Sequence, residues 1–189
     1  MDLLGGFRWT KDDKKTTSWV TDARGTRVYL GTYNKSEPTY LAGVNYRLSD
    51  DVLLYAKYST GFVAGGVLAD LPYPKEEVKA WEAGAKADFL DGRLRTNVAL
   101  FKADYKNVQK TTTGNRLAVP RLDLPLVITF EGDVSIKGIE GEISALVGEK
   151  LTLSAGLGYS DFELKNANPL LFAANQTYFL AFRGKSTAN

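Results

Sequence analysis

Six residues of this 189-residue chain have the side chains to hold an anionic ligand through charge and stacking. Arg24, Arg27, Tyr29 and Tyr33 fall in one polar stretch, and Arg116 and Arg121 in another. Guanidinium groups offer forked donors, and phenol rings offer faces on which a ligand or a cation can stack. The competing reading is a charged surface loop that binds nothing. Asp12-Asp13 and Glu76-Glu77 invite a cation-site reading. Adjacent carboxylates on a strand point to opposite faces, however, so these pairs are read as surface charge. Gly156-Leu157-Gly158 is no phosphate loop, because it sits mid-strand with no helix after it.

The remaining chemistry is defined by what the composition excludes. There is no Cys and no His, which removes disulfides, thiolate metal sites, zinc hydrolases and the usual Ser-His or Cys-His nucleophiles. An esterase-like barrel enzyme fails on the same ground, since no Ser-Lys or paired-acid motif replaces the missing base. The chain is read as no enzyme and as needing no cofactor or metal. Lys and Arg total 24 against 22 Asp and Glu, too even a balance for a nucleic-acid surface. With 18 Gly, 10 Tyr, 9 Phe and 3 Trp, yet a mean hydropathy of −0.21, the composition points to many short strands.

Seven segments carry that expectation: 3–11, 40–48, 52–59, 81–89, 94–105, 138–147 and 151–159. Six alternate cleanly, as in Trp81, Ala83, Ala85, Ala87, Phe89 against Glu82, Gly84, Lys86, Asp88. The segment 94–105 is apolar on both faces, and its register is taken from the turn before it. Asp91-Gly92 is a type I′ hairpin signal. It sets Phe89 opposite Leu94, Ala87 opposite Thr96 and Ala85 opposite Val98. Asp88 then meets Arg95 and Lys86 meets Asn97 on the polar face. The turns at 49–51 and 148–150 give the same parity, placing Tyr46 opposite Leu54 and Ala145 opposite Leu153.

Connection lengths alternate as well. Tight turns at 49–51, 91–92 and 148–150 separate long connections at 12–39, 61–77 and 106–135. Unstructured loops of about 20 residues are uncommon in compact soluble domains. Short turns on one side and long loops on the other, joined by strands of about 9–11 residues, describe an outer-membrane barrel. Lys57, Lys86 and Arg95 fall on the polar face. Lys102 and Lys137 fall on the apolar face but near the long-loop ends, where a charge costs only about 0–1 kcal/mol. Trp9, Tyr58, Trp81, Tyr105 and Tyr159 gather at those ends as an interfacial girdle. A soluble antiparallel sandwich alternates in the same way, so the pattern alone leaves both open.

The motifs are more specific than the pattern. Tyr55-Ala56-Lys57-Tyr58-Ser59-Thr60-Gly61-Phe62-Val63-Ala64-Gly65-Gly66 resembles the Y-A-x-Y-S-x-G-F-x-A-G-G segment of TonB-dependent outer-membrane receptors. Trp81-Glu82-Ala83-Gly84-Ala85-Lys86 is similar to that family's E-x-G-x-K strand, and Gly138-Ile139-Glu140-Gly141-Glu142 to its G-x-E-x-E strand. Leu151 to Tyr159 and the opening Gly6-Phe7-Arg8-Trp9-Thr10-Lys11 also resemble family strands, in the family's order.

The resemblance implies an all-β fold: an antiparallel, up-and-down transmembrane barrel segment of seven strands, eight if 175–182 is the next. Family barrels run to roughly 22 strands around a plug, so the chain is expected to be an incomplete barrel over 1–183 with a polar tail at 184–189. The plug domain, the TonB box and a leader are expected to be absent from it. The implied setting is the outer membrane of a Gram-negative bacterium. The implied partners are membrane lipid, the plug and the TonB system of the intact parent, and a small ligand such as a ferric siderophore. Import would be energy-coupled. Arg47, Lys57, Glu82, Lys86, Asp88, Arg95, Glu140 and Glu142 would face the lumen, as plug contacts or as a mutually paired wet lining. The alternative is a small autonomous barrel with an adhesion or structural role.

Overall fold

A computed structural model describes residues 1–22, 24–113, 127–130 and 132–167. Arg116, Arg121, the expected strand at 175–182 and the tail at 184–189 lie outside the described residues. Seven long strands form one antiparallel sheet. They are β1 (Asp2–Asp22), β2 (Gly25–Arg47), β3 (Val52–Val63), β6 (Glu76–Phe89), β7 (Leu94–Lys106), β10 (Asp133–Val147) and β11 (Leu151–Lys165). Two short hairpins, β4 (Gly66–Leu68) with β5 (Leu71–Tyr73) and β8 (Gln109–Thr112) with β9 (Val127–Phe130), stand apart from that sheet. The long strands are paired in chain order, an up-and-down arrangement with β1 and β11 as its edges among the described residues.

Turn chemistry sets the register. Asp91 and Gly92 both have positive φ, 56° and 78°, and the Arg93 amide donates to the Leu90 carbonyl at 3.1 Å. Leu90 has positive φ as well, 54°, so the turn covers 90–93 and is wider than the expected two-residue loop. Asp91-Gly92 at its centre keeps the expected register. Phe89↔Leu94, Ala87↔Thr96, Asp88↔Arg95 and Lys86↔Asn97 follow directly from it. Tyr46↔Leu54 and Ala145↔Leu153 follow from the other two short turns. Two of these turns are also tied to each other. The Leu146 amide donates to the Arg93 carbonyl at 2.8 Å, and the Arg93 guanidinium donates to the carbonyls of Leu146 and Gly148.

Because side chains alternate, this register separates two faces. Leu3, Phe7, Trp9, Trp81, Leu100, Leu153 and Leu157 lie on the outer face, and Leu157 is 86% exposed. The buried apolar residues among those described are only Val20, Ala69, Val127 and Val134. A sandwich would cover the wide outer face with a second sheet, and none lies over it among the described residues. Tyr58 and Trp81, opposite one another with ring centroids 4.4 Å apart, mark one level of the girdle. Lys102 and Lys137 are outward on the same level, paired with Asp104 and Asp161. Tyr105 does not belong to the girdle. Its cross-strand partners are Val78 and Val134, on the inner face, because β7 runs without a bulge from Arg95 and its odd-numbered residues all point inward.

The long connections differ from the expected loops. β1 and β2 stay paired from Asp2↔Asn45 to Asp22↔Gly25, so 12–39 is a continuation of the wall and not a loop. At about 3.4 Å per residue, the 21 residues of β1 span roughly 70 Å, against a hydrocarbon core of about 30 Å. Thr16, Thr17, Trp19, Val20 and Val28 to Leu30 favour extended backbone, although charged residues before them make the stretch look like a loop. The other two connections are built around the β4–β5 and β8–β9 hairpins.

Candidate functional site

The inner face carries the polar residues of the wall. Lys57 pairs with Glu82 at 2.8 Å directly across β3 and β6. The Tyr55 hydroxyl donates to the other Glu82 oxygen at 2.9 Å, and the Lys86 ammonium lies over the Tyr55 ring at 5.7 Å. Closer to the short turns, Arg95 holds Asp88 through two hydrogen bonds of 2.7 and 3.1 Å. Arg47, Lys86, Asp88, Arg95 and Glu142 line an open trough of about 780 Å3 at that end. Glu140 sits above it, opposite Ala99 and Gly158. All eight residues therefore share one face, and they form two paired clusters and a trough.

Small residues make room for the inner-face rings. A Cβ on Gly84 would sit 2.5 Å from the Val98 carbonyl oxygen and 2.7 Å from the Tyr55 ring. A Cβ on Gly138 would meet the Phe101 ring at 2.6 Å. Ring and glycine thus share one space on neighbouring strands, which fixes the ring across the glycine.

Above the level of Tyr58 and Trp81 the same inner face continues along β1 and β2. Arg27, Tyr29 and Tyr33 lie on it, on alternate residues of β2, and Arg24 sits at the hairpin tip. Tyr29 packs on the cluster of Val20, Ala69 and Val127. The Tyr33 hydroxyl accepts from the Gly65 amide at 3.2 Å, while Lys14 stands 5.4 Å from the Tyr33 ring centre and donates to the Gly65 carbonyl at 3.0 Å. The geometry thus gives both tyrosines packing roles. Lys14, Ser18, Gly31 and Gln109 escaped the sequence reading, although continuing the wall's alternation through 12–39 places the first three on the inner face.

A junction at 74–77 joins all three connections. Lys75 pairs with Glu37 of β2 and with Glu77 at 2.9 Å. Burial pulls the Lys75 ammonium down, but the hydrogen bonds from Lys75 to Glu37 and Glu77 and the charges of both carboxylates outweigh it and raise its pKa. The Gln109 amide nitrogen donates to the carbonyls of Ala64 and Pro74, and its backbone amide donates to Glu76. Among the described residues, no group of three His, Cys, Asp or Glu is placed to hold a metal.

The fold has counterparts in known proteins. Residues 1–188 match the family described as TonB dependent receptor-like, beta-barrel. The chain belongs to this receptor family. A probable TonB-dependent siderophore receptor, PiuA of Acinetobacter baumannii, is 25% identical over 171 residues, covering 84% of this chain and 21% of that protein. The metal-pseudopaline receptor CntO of Pseudomonas aeruginosa is 30% identical over 152 residues, covering 76% of this chain and 20% of its own. The crystal structure of PiuA superposes with a TM-score of 0.68 at 23% identity, over 88% of this chain and 24% of that one. The ferric yersiniabactin receptor FyuA of Yersinia pestis gives 0.71 at 17% identity, over 89% and 26%. The chain thus spans about a fifth of the length of the curated relatives it matches. It supplies an all-β, antiparallel part of a TonB-dependent barrel, and the family is one of transport receptors.

Proposed function

We propose that this segment is wall and vestibule of an outer-membrane receptor that imports a ferric siderophore by TonB-coupled transport. The observation that carries the reading is the change of surroundings along β1 and β2. Their lower halves present Leu3, Phe7 and Tyr40 outward, while their upper halves turn Val20, Tyr29 and Gly31 inward against other connections. A strand pair that sits in lipid below and packs around an entrance above fits a membrane receptor. The curated relatives are named for siderophores, pyoverdine and pseudopaline among them.

In this reading the polar inner face meets a plug contributed by the rest of the parent. Arg24 and Arg27, with Arg116 and Arg121, supply positive charge toward an anionic chelate. The residue range 1–183 is barrel, and no step of the import involves covalent chemistry by this segment. The test is uptake of iron-labelled ferric siderophores by cells carrying the complete receptor, with and without a working TonB. TonB-dependent uptake of at least one chelate is expected. Uptake that persists unchanged without TonB, or its absence across a panel of pyoverdines, catecholates and pseudopaline, overturns the proposal.

A further inference from the structure

The ten-residue stretch 64–73 folds inward as a finger made of β4 and β5, and it is held on two sides. On the β1–β2 side its backbone is met by side chains. Gly65 gives its amide to the Tyr33 hydroxyl and its carbonyl to Lys14, and the Ala69 amide donates to Ser18 Oγ at 3.3 Å. Gly31 adds a close approach, since a Cβ there would lie 2.7 Å from Val67 Cβ. On the opposite side the Gln109 side chain ties together the two ends of the finger, at Ala64 and Pro74, with bonds of 3.1 and 3.0 Å. Val127 closes over Ala69 and Val20 and is 1% exposed.

The finger's own sequence suits the position. Gly65 and Gly66 turn it inward where no side chain fits, because a Cβ on Gly65 would sit 2.6 Å from the Tyr73 carbonyl oxygen and one on Gly66 would strike the Tyr73 ring. At the tip, Ala69 holds a left-handed conformation, φ 55°, while 4% exposed. Such a conformation persists only when its surroundings over-determine it. A loop that swings out on its own would give up the Ser18, Tyr33 and Lys14 bonds together and open the packing of Ala69 on Val20 and Val127 to water.

The geometry points to a preassembled entrance: the finger is a fixed part of the vestibule wall before any ligand arrives, and Lys14, Ser18, Gly31, Tyr33, Gln109 and Val127 are the positioning residues that hold it. Ligand choice on this side of the entrance is then made by a preset shape and not by closure of this connection. The role in ligand choice rests on the receptor reading above; the fixed position of the finger does not.

The experiment uses the complete receptor with Gly31→Cys and Val67→Cys introduced together. The segment has no cysteine of its own, and the close approach needs to open by only about 1 Å to meet disulfide Cβ spacing. The bond is expected to form without ligand. Oxidised and reduced receptor should then import iron-labelled ferric pyoverdine at rates within about twofold of each other, because no motion has been blocked. A drop of about tenfold or more on oxidation, reversed by reductant, overturns the proposal. The second readout is amide exchange in ligand-free, unmodified receptor in micelles. The Gly65 and Ala69 amides should exchange at least about 100-fold more slowly than unprotected ones. Exchange at the unprotected rate overturns the fixed finger. Failure of the unmodified receptor to import any chelate of the panel counts against the transport reading alone, and the exchange readout still decides the finger.

Discussion

The lower and upper halves of the β1–β2 hairpin share one ladder and one register, yet they are stabilised in opposite directions. From residue 3 to 11 the outer face carries Leu3, Phe7 and Trp9, and the inner face holds Leu4, Gly6, Arg8 and Thr10. From 14 to 31 the inner face is the one that packs, through Ser18, Val20, Tyr29 and Gly31, while Trp19 at 68% and Leu30 at 79% stand exposed outside. The β1–β2 ladder runs unbroken through both halves, although β2 is also paired with β3 only over 41–47. What differs is the solvent outside and the neighbour inside. A strand in lipid is stabilised by its outward face, and a strand in water needs a packed inward one.

Charge placed on each half separates them most sharply. Val98→Lys, outward and midway between girdle and short turn, is expected to cost about 2–4 kcal/mol, read as loss of the heat-modifiable folded band after refolding in lipid. Thr17→Lys, outward on the upper half, should leave that band unchanged; equal losses at both sites would erase the distinction. Next in size is Gly84→Val. The Tyr55 ring fills the space its side chain needs, and overpacking there is expected to cost about 1–3 kcal/mol in urea-induced unfolding.

Gly31→Val sharpens the comparison from the other side. It should displace the finger and expose 64–73 to protease, with a change of less than about 1 kcal/mol in global unfolding, since local opening absorbs the clash. A large loss of barrel stability would show that wall and entrance unfold together. Smaller again is the coupling of Lys57 to Glu82. A double-mutant cycle with Lys57→Met and Glu82→Gln should return about 0.5 kcal/mol, because both side chains are partly exposed. The Asp88–Arg95 pair is more open still and should contribute least, and added salt should abolish what it contributes.

The wall was legible residue by residue. Asp91-Gly92 fixed which residues face each other, and with a period of two every later partner followed, down to Ala85 opposite Val98. Where that parity was set aside, the reading failed. Tyr105 is an aromatic near a long-loop end, but its odd number on β7 places it inside. The upper β1–β2 hairpin was missed for a related reason. Its polar residues hide the alternation that the lower half displays in apolar ones, so hydrophobic periodicity carried little signal.

The sequence by itself thus determined the central parts of the seven wall strands, their partners across the short turns, the two faces of the wall and the family motifs. Turn type and side-chain alternation act between near neighbours and repeat along the ladder. Only the tertiary structure decided that three separate connections pack against one another. Lys14 and Gly65 are 51 residues apart, and Gln109 stands 45 from Ala64. No local rule links them. Their contact depends on where the sheet places the ends of its strands, and on a space beside Gly31 that exists because that residue has no side chain.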